Sequence, residues 1–346
     1  MKKIVLFVVV LIAFQSINAQ YTKIINSKRP GFSESPYGVG TKVFQVETGA
    51  FYEQSNLNKI FYADNTLGAN LFLRYGRFLE KLEVNLDFAY QKDERSFHNV
   101  LNTNPATVNG ISKLTLGAKY LIYNSKYTDK SKEIRSWKKR TAFDIKRLIP
   151  SVGVYVGWNS NFLSNGFKED NMSIKGAVLL QNDITDRFVV LTNLIVDKIL
   201  LDEMQYSYIL TTTYALNDKW SIFGEHQGTF GKNMNSKFQF GVGTAFLVNN
   251  NLQVDVSGRT TMVGKGNINY VSLGGSWRLD GHIKKKKTGD GIDGTKEPFF
   301  KRIFKKKSKR KKVKKIKKKK RRKSKKPKRG TPSFFKKKKK KKKKKD

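Results

Sequence analysis

Between Leu82 and Gln91 the side chains sort with a period of two. Leu82, Val84, Leu86, Phe88 and Tyr90 are apolar or aromatic, while Glu83, Asn85, Asp87 and Gln91 are polar or charged. Only an extended strand places successive side chains on opposite faces, so one face is fit for oil and the other for water. The same pattern recurs over roughly 42–53, 68–76, 80–92, 111–123, 149–159, 173–184, 187–197, 204–215, 218–228, 236–248, 251–260 and 268–279. Strands that carry carboxylates behind an apolar face predict an all-β fold, a transmembrane antiparallel β-barrel of about twelve strands.

Loop lengths give an independent check, because such barrels join their strands by short turns at one end and longer loops at the other. Arg77-Phe78-Leu79, Thr185-Asp186, Asn217-Asp218 and Asn249-Asn250 read as tight turns, expected on the periplasmic side. Residues 54–67, 93–110, 160–172, 198–203, 229–235 and 261–267 read as the outer loops. Residues 124–148 break the rule. They belong to the turn side and carry nine Lys or Arg, which predicts a basic periplasmic insertion with a short helix around Trp137 or, alternatively, a further strand pair.

The ends of the chain differ in character from its middle. Met1-Lys2-Lys3, an apolar run from Ile4 to Phe14 and a small residue at Ala19 describe a signal peptide over 1–19, too short to span a bilayer with ease. No later stretch approaches the roughly 20 apolar residues of a spanning helix, so a membrane domain must be built from strands. The absence of cysteine rules out disulfides and thiolate chemistry. Residues 281–346 hold 37 Lys or Arg against four acids, so that tail carries +33 of the total +43. Such a segment cannot bury a core and is expected to be disordered. The domain plan is therefore 1–19 signal peptide, 20–41 a plug-like periplasmic segment, 42–280 barrel and 281–346 basic tail.

Strand parity assigns the faces. Phe44, Val46, Tyr52, Leu116, Trp158, Phe240, Leu273 and Trp277 point to lipid, with Tyr and Trp near strand ends as aromatic girdles require. Glu47, Arg74, Glu83, Asp87, Lys119, Glu225, Asp255 and Arg259 point inward and are the candidate lumen residues. Glu47, Arg74 and Glu83 lie on three neighbouring strands and read either as a solute-selecting constriction or as a buried ion-pair network. Opposite charges in a narrow lumen pair first, which favours the network. Asp183, Asp197, Asp255 and Arg259 are expected as solvated lumen residues. Glu225 and His226 are consecutive in a strand and must face opposite ways, so no catalytic constellation is expected from them or from His98 on an outer loop. No metal-spaced cluster or cofactor loop is expected either. Gly241-x-Gly243 reads as inward packing space within a strand.

Arg29-Pro30-Gly31-Phe32-Ser33-Glu34-Ser35-Pro36, then Phe44-Gln45-Val46-Glu47-Thr48-Gly49 and Leu73-Arg74-Tyr75-Gly76, resemble the outer-membrane transporter family of the phenol-degradation meta pathway. Leu114 to Tyr120, Trp220 to Glu225 and Leu252 to Asp255 also fit, so the resemblance spans residues 29–279. It implies an outer-membrane barrel that passes small solutes, apolar or aromatic ones among them. The insertion and the tail depart from the family's pattern. The expected partners are outer-membrane lipid, the barrel-assembly machinery at the last strand (Tyr270 to Leu279), and anionic lipid or peptidoglycan for the tail. A cytosolic chain with this tail would read as a nucleic-acid binder, but the signal peptide removes that partner.

Overall fold

A computed structural model describes residues 24–57, 63–77, 79–95, 106–127, 143–169, 171–199, 201–232 and 234–281. Twelve strands form the fold: β1 (Val43–Ser55), β2 (Asn65–Gly76), β3 (Leu82–Arg95), β4 (Ala106–Tyr123), β5 (Ser151–Asn159), β6 (Ser173–Asp183), β7 (Phe188–Ile199), β8 (Gln205–Ala215), β9 (Trp220–Gly231), β10 (Lys237–Asn249), β11 (Leu252–Val263) and β12 (Gly266–Asp280). Each pairs antiparallel with its neighbours in sequence, and β1 pairs with β12 from Val43↔Asp280 to Ser55↔Ile268, which closes the barrel. Closure satisfies the backbone donors and acceptors that an open sheet edge would leave bare in lipid.

The alternation read from Leu82 onward is the alternation of the wall. Glu83 and Asn85 are buried inside, while Leu82, Val84, Leu86 and Phe88 on the other parity face outward. Exposed aromatics gather near both rims, with Tyr75, Tyr123, Tyr214, Trp220 and Trp277 at the end that carries the strand termini Val43 and Asp280, and Tyr52, Trp158 and Tyr206 toward the other. These match the girdles that amphipathic rings form at the two interfaces of a bilayer.

At the terminus end the turns follow local side-chain chemistry. Asn217 Oδ1 accepts from the N–H groups of Lys219 and Trp220, and Thr185 Oγ1 accepts from Arg187 and Phe188, so each short polar side chain ends one strand and starts the next. At the opposite, loop end the strands run further than their hydrophobicity suggests. The expected loop over 261–267 is instead a two-residue turn at Gly264-Lys265, because β11 and β12 continue through polar Thr261 and Asn267; Gly264 takes the left-handed φ of +60° that the turn requires. β4 also outruns β5, and Ser160 and Ser164 of the next loop donate their N–H groups to Leu114 and Ile111, covering its free edge.

Within the 124–148 insertion the described part contains a 3-10 turn, Ile145–Leu148, capped by the Asp144 carboxylate. Arg147 of that turn pairs with Asp186 at 2.6 Å and lies over the Tyr127 ring. The helix expected around Trp137, His98, the signal peptide and the tail lie outside the described residues.

Leu86 sits at mid-strand on the outward face, so Leu86→Arg should destabilise the refolded barrel by about 2–4 kcal/mol, read from urea titration in lipid vesicles. An unchanged midpoint would mean that this face does not meet lipid.

Candidate functional site

The lumen is not empty. Residues 24–42 form no helix or strand, so their backbone N–H and C=O groups have no ladder partners and must find them elsewhere. They find them on the inner wall. The segment enters beside the β10–β11 turn, where Ile25 N–H donates to Asn250 O and Arg278 donates to Ile24 O. It runs along β12 and β1, crosses toward β9 and β7, and returns past β6, β5 and β3 to join β1. Ser35 meets Gln181, the Tyr37 hydroxyl meets Ser151 at 2.6 Å, and Val39 N–H donates to Glu83 on that return path.

Two charge clusters hold this plug. In the first, the Arg74 guanidinium forks onto Glu83, with both bonds at 2.8 Å, and reaches Glu47 at 3.1 Å. Lys119 approaches the same Glu83 carboxylate at 3.4 Å. All four side chains are essentially inaccessible to solvent, from 0% exposed for Glu83 to 2% for Arg74. Each carboxylate divides its oxygens between wall and plug. Glu47 Oε1 faces Arg74 and its Oε2 accepts from Ser27 Oγ, Lys28 N and Arg29 N; Glu83 Oε2 accepts from Val39 N as well as from Arg74. The backbone donors of the plug thus become ligands for wall anions, the charge-assisted kind of hydrogen bond.

In the second cluster the plug supplies the cation. Arg29 donates to Asp255 at 2.9 Å, to Ser272 at 2.9 Å and to Asn70 at 3.0 Å. Its guanidinium lies against Gly49 and Gly274, which face each other across the β1–β12 seam; a Cβ on either would occupy its place. Glu225 accepts from Phe32 N at 2.8 Å and Ser33 N at 3.3 Å, and pairs with Arg259 at 3.4 Å. Arg259 also donates to Pro30 O and stacks 3.7 Å from the centre of the Phe32 ring. The Arg29–Pro30 peptide is cis.

Of the eight inward residues singled out by parity, Glu47, Arg74, Glu83 and Lys119 therefore share one network. Glu225 and Arg259 pair in another, and Asp255 joins them through Arg29. Asp87 stands apart, paired with Lys113 at 2.6 Å nearer the loop end. Asp255 and Arg259 are not solvated lumen residues: both are about 4% exposed because the plug covers them. Gly241 and Gly243 face inward beside Arg259 and Phe223. Parity could not find Lys28, Arg29 and Glu34, which lie before the first strand. For Arg29 and Glu34 the one signal was the charge set among small residues in Arg29 to Pro36, and Lys28 lies just outside it. Glu34 pairs with Lys28 at 2.9 Å; burial alone would raise its carboxyl, but the ammonium groups of Lys28 and Lys119 outweigh that and hold it at about 2.

Above the plug, toward the loop end, a cavity of about 420 Å³ is lined by Lys28, Phe32 and Glu34 of the plug and by side chains of β3 to β10. A smaller one of about 280 Å³ adjoins it, sharing Lys28, Phe32, Asp87 and Lys113. His226, behind Glu225, faces the other way, among Tyr208, Phe238 and Phe240 on the outer surface.

Removing Arg74 leaves two carboxylates buried without their cation, so Arg74→Ala should cost roughly 3–5 kcal/mol. The denaturation midpoint of the refolded barrel measures it. A loss under 1 kcal/mol would mean that the network is hydrated and not structural.

No curated protein matches the chain in sequence. Among solved structures, the COG4313 outer membrane channel from Pseudomonas putida F1 superposes with a TM-score of 0.50 at 11% identity, over 73% of this chain and 100% of that one. The KdgM porin gives 0.43 at 11% identity over 67% and 98%, and the CymD monoaromatic hydrocarbon channel gives 0.39 at 9% over 69% and 88%. At 11% identity the likeness to the COG4313 channel speaks for the barrel fold alone. The family model described as "Putative MetA-pathway of phenol degradation" matches residues 27–279, from inside the plug to the end of the last strand, and the chain belongs to that family.

Proposed function

We propose that the protein is an outer-membrane channel or facilitated transporter for small solutes, apolar and aromatic ones among them, and that the 24–42 plug sets what passes. The observation that carries this reading is the cavity of about 420 Å³ resting on the plug, of a size that suits a small ligand. Its wall mixes the apolar side chains of Phe32, Leu179, Ile195 and Ile209 with charged groups, so it offers a foothold to solutes that carry an apolar body. The expected sidedness puts the loop end outside, so a solute would meet this cavity before the plug. The barrel performs no chemistry in this reading, since Glu225 and His226 lie on opposite faces of the wall.

A second reading draws on the same plug. With Glu47, Glu83 and Glu225 all engaged by plug amides and wall cations, the plug is held in the terminus half, which suits a structural barrel that does not transport. In that reading the basic tail lies in the periplasm and ties the barrel to peptidoglycan or anionic lipid, at about 1 kcal/mol per Lys or Arg near such a surface. Under both readings the last strand is what the assembly machinery recognises.

Single-channel recording of the refolded full chain separates them. The channel reading expects discrete, small conductance steps that grow severalfold when Arg29→Ala and Glu225→Gln together release the plug. A silent protein whose silence survives plug release favours the structural barrel.

A further inference from the structure

The upper cavity has a chemical bias that a merely apolar solute would not use. Three ammonium groups converge on it from separate elements: Lys28 from the plug, Lys113 from β4 and Lys175 from β6. Each has one carboxylate nearby, Glu34 at 2.9 Å, Asp87 at 2.6 Å and Asp197 at 3.4 Å. A lysine ammonium carries three N–H donors, so each has donors to spare. The carboxylates have less to spare. Asp197 also accepts from Asn159 and from the backbone of Lys198, and Glu34 Oε1 is taken by Lys28, while its Oε2 has no hydrogen bond and lies 4.0 Å from Lys119. Lys237 lines the same cavity.

A neutral donor adds to the bias. Tyr155 is only 7% exposed and lines the cavity, yet its hydroxyl has no hydrogen-bond partner among the described residues. The ring lies against Gly117 and Gly157, which face each other across β4 and β5, and a side chain on either glycine would displace it. Two paired positions are thus left without side chains where the phenol lies. An accessible phenol O–H at the cavity wall is a donor that a ligand carboxylate can accept from. Between these polar groups lie Phe32, Ala177, Leu179, Ile195 and Ile209.

We propose that this cavity is a binding site for a small organic anion, a carboxylate carried on an apolar or aromatic body, with Lys113, Lys175 and Tyr155 meeting the carboxylate and the Phe32–Leu179–Ile209 side receiving the body. The inference rests on the channel reading only for its purpose; the site itself stands on the cavity and its donors. Charge-assisted hydrogen bonds from spare ammonium donors are the contacts that distinguish such an anion from a neutral solute of the same shape.

Benzoate, benzyl alcohol and benzylammonium share one ring and differ in charge, so calorimetric titration of the refolded full chain with each of them tests the assignment. The expected result is saturable one-to-one binding of benzoate, at least tenfold tighter than benzyl alcohol, with benzylammonium weakest. Lys113→Gln and Lys175→Gln should each weaken benzoate by roughly tenfold, and Tyr155→Phe by a few fold, with benzyl alcohol unaffected. Lys113 is half exposed, so its variant keeps the fold, and the heat-modifiable electrophoretic shift checks this for all three. Absent benzoate binding, equal affinity for the neutral ring, or indifference to all three substitutions overturns the proposal. Benzoate binding without solute passage would remove the channel reading and leave this site; passage of neutral solutes without a preference for benzoate would do the reverse.

Discussion

Backbone donors that enter a closed barrel without secondary structure must be met by acceptors on the wall, and here those acceptors are carboxylates. Glu47, Glu83 and Glu225 each take one or more amides of the 24–42 segment while holding a wall cation. The rest of the lumen follows from that arrangement. Buried carboxylates that accept several donors need cations beside them, and Arg74, Lys119 and Arg259 supply them. Removing any one member leaves a charge or an amide stranded. The plug and the wall are therefore one polar network and not a barrel with a loosely tethered stopper.

The barrel was legible in the sequence because its constraint is local and periodic. Each strand had to show lipid one face and the lumen the other, so parity alone placed Glu83 inside and Leu86 outside. The strands' loop-end extensions were less legible: β11 runs on through Thr261, Met262 and Val263 and β12 opens at Gly266-Asn267, stretches too short to show a period of two of their own. Parity also gave the inward direction of Asp255 and Arg259 but not their surroundings. Their partners, Arg29 and Pro30, lie more than 220 residues earlier in a segment with no period to read. The glycines at 49 and 274 make the same point, since each is an ordinary strand glycine until the other is placed across the seam and Arg29 between them.

The network divides the lumen into two halves with different chemistry. Toward the chain termini, wall carboxylates and cations hold the plug, although Gln45 Oε1 and the Asn85 amide stay buried without a partner there. Toward the loops the same elements leave spare donors, on Lys28, Lys113, Lys175 and Tyr155, around an open cavity. Lys28 and Glu34 belong to both halves, because they sit on the plug and line the cavity above it. Anything that rearranges the lower network therefore alters the floor of the upper cavity, and a ligand that engages Lys28 acts on the plug through Glu34.

Hydrogen exchange of individual plug amides, measured by NMR on the refolded full chain in micelles, tests the central arrangement most directly. If Glu47, Glu83 and Glu225 hold the plug as described, the amides of Lys28, Arg29, Phe32 and Val39 should exchange as slowly as those of the neighbouring strands, and Glu225→Gln should release Phe32 and Ser33 first. Exchange of all four at the rate of an exposed loop would contradict the account, because the wall carboxylates would then have no plug to hold.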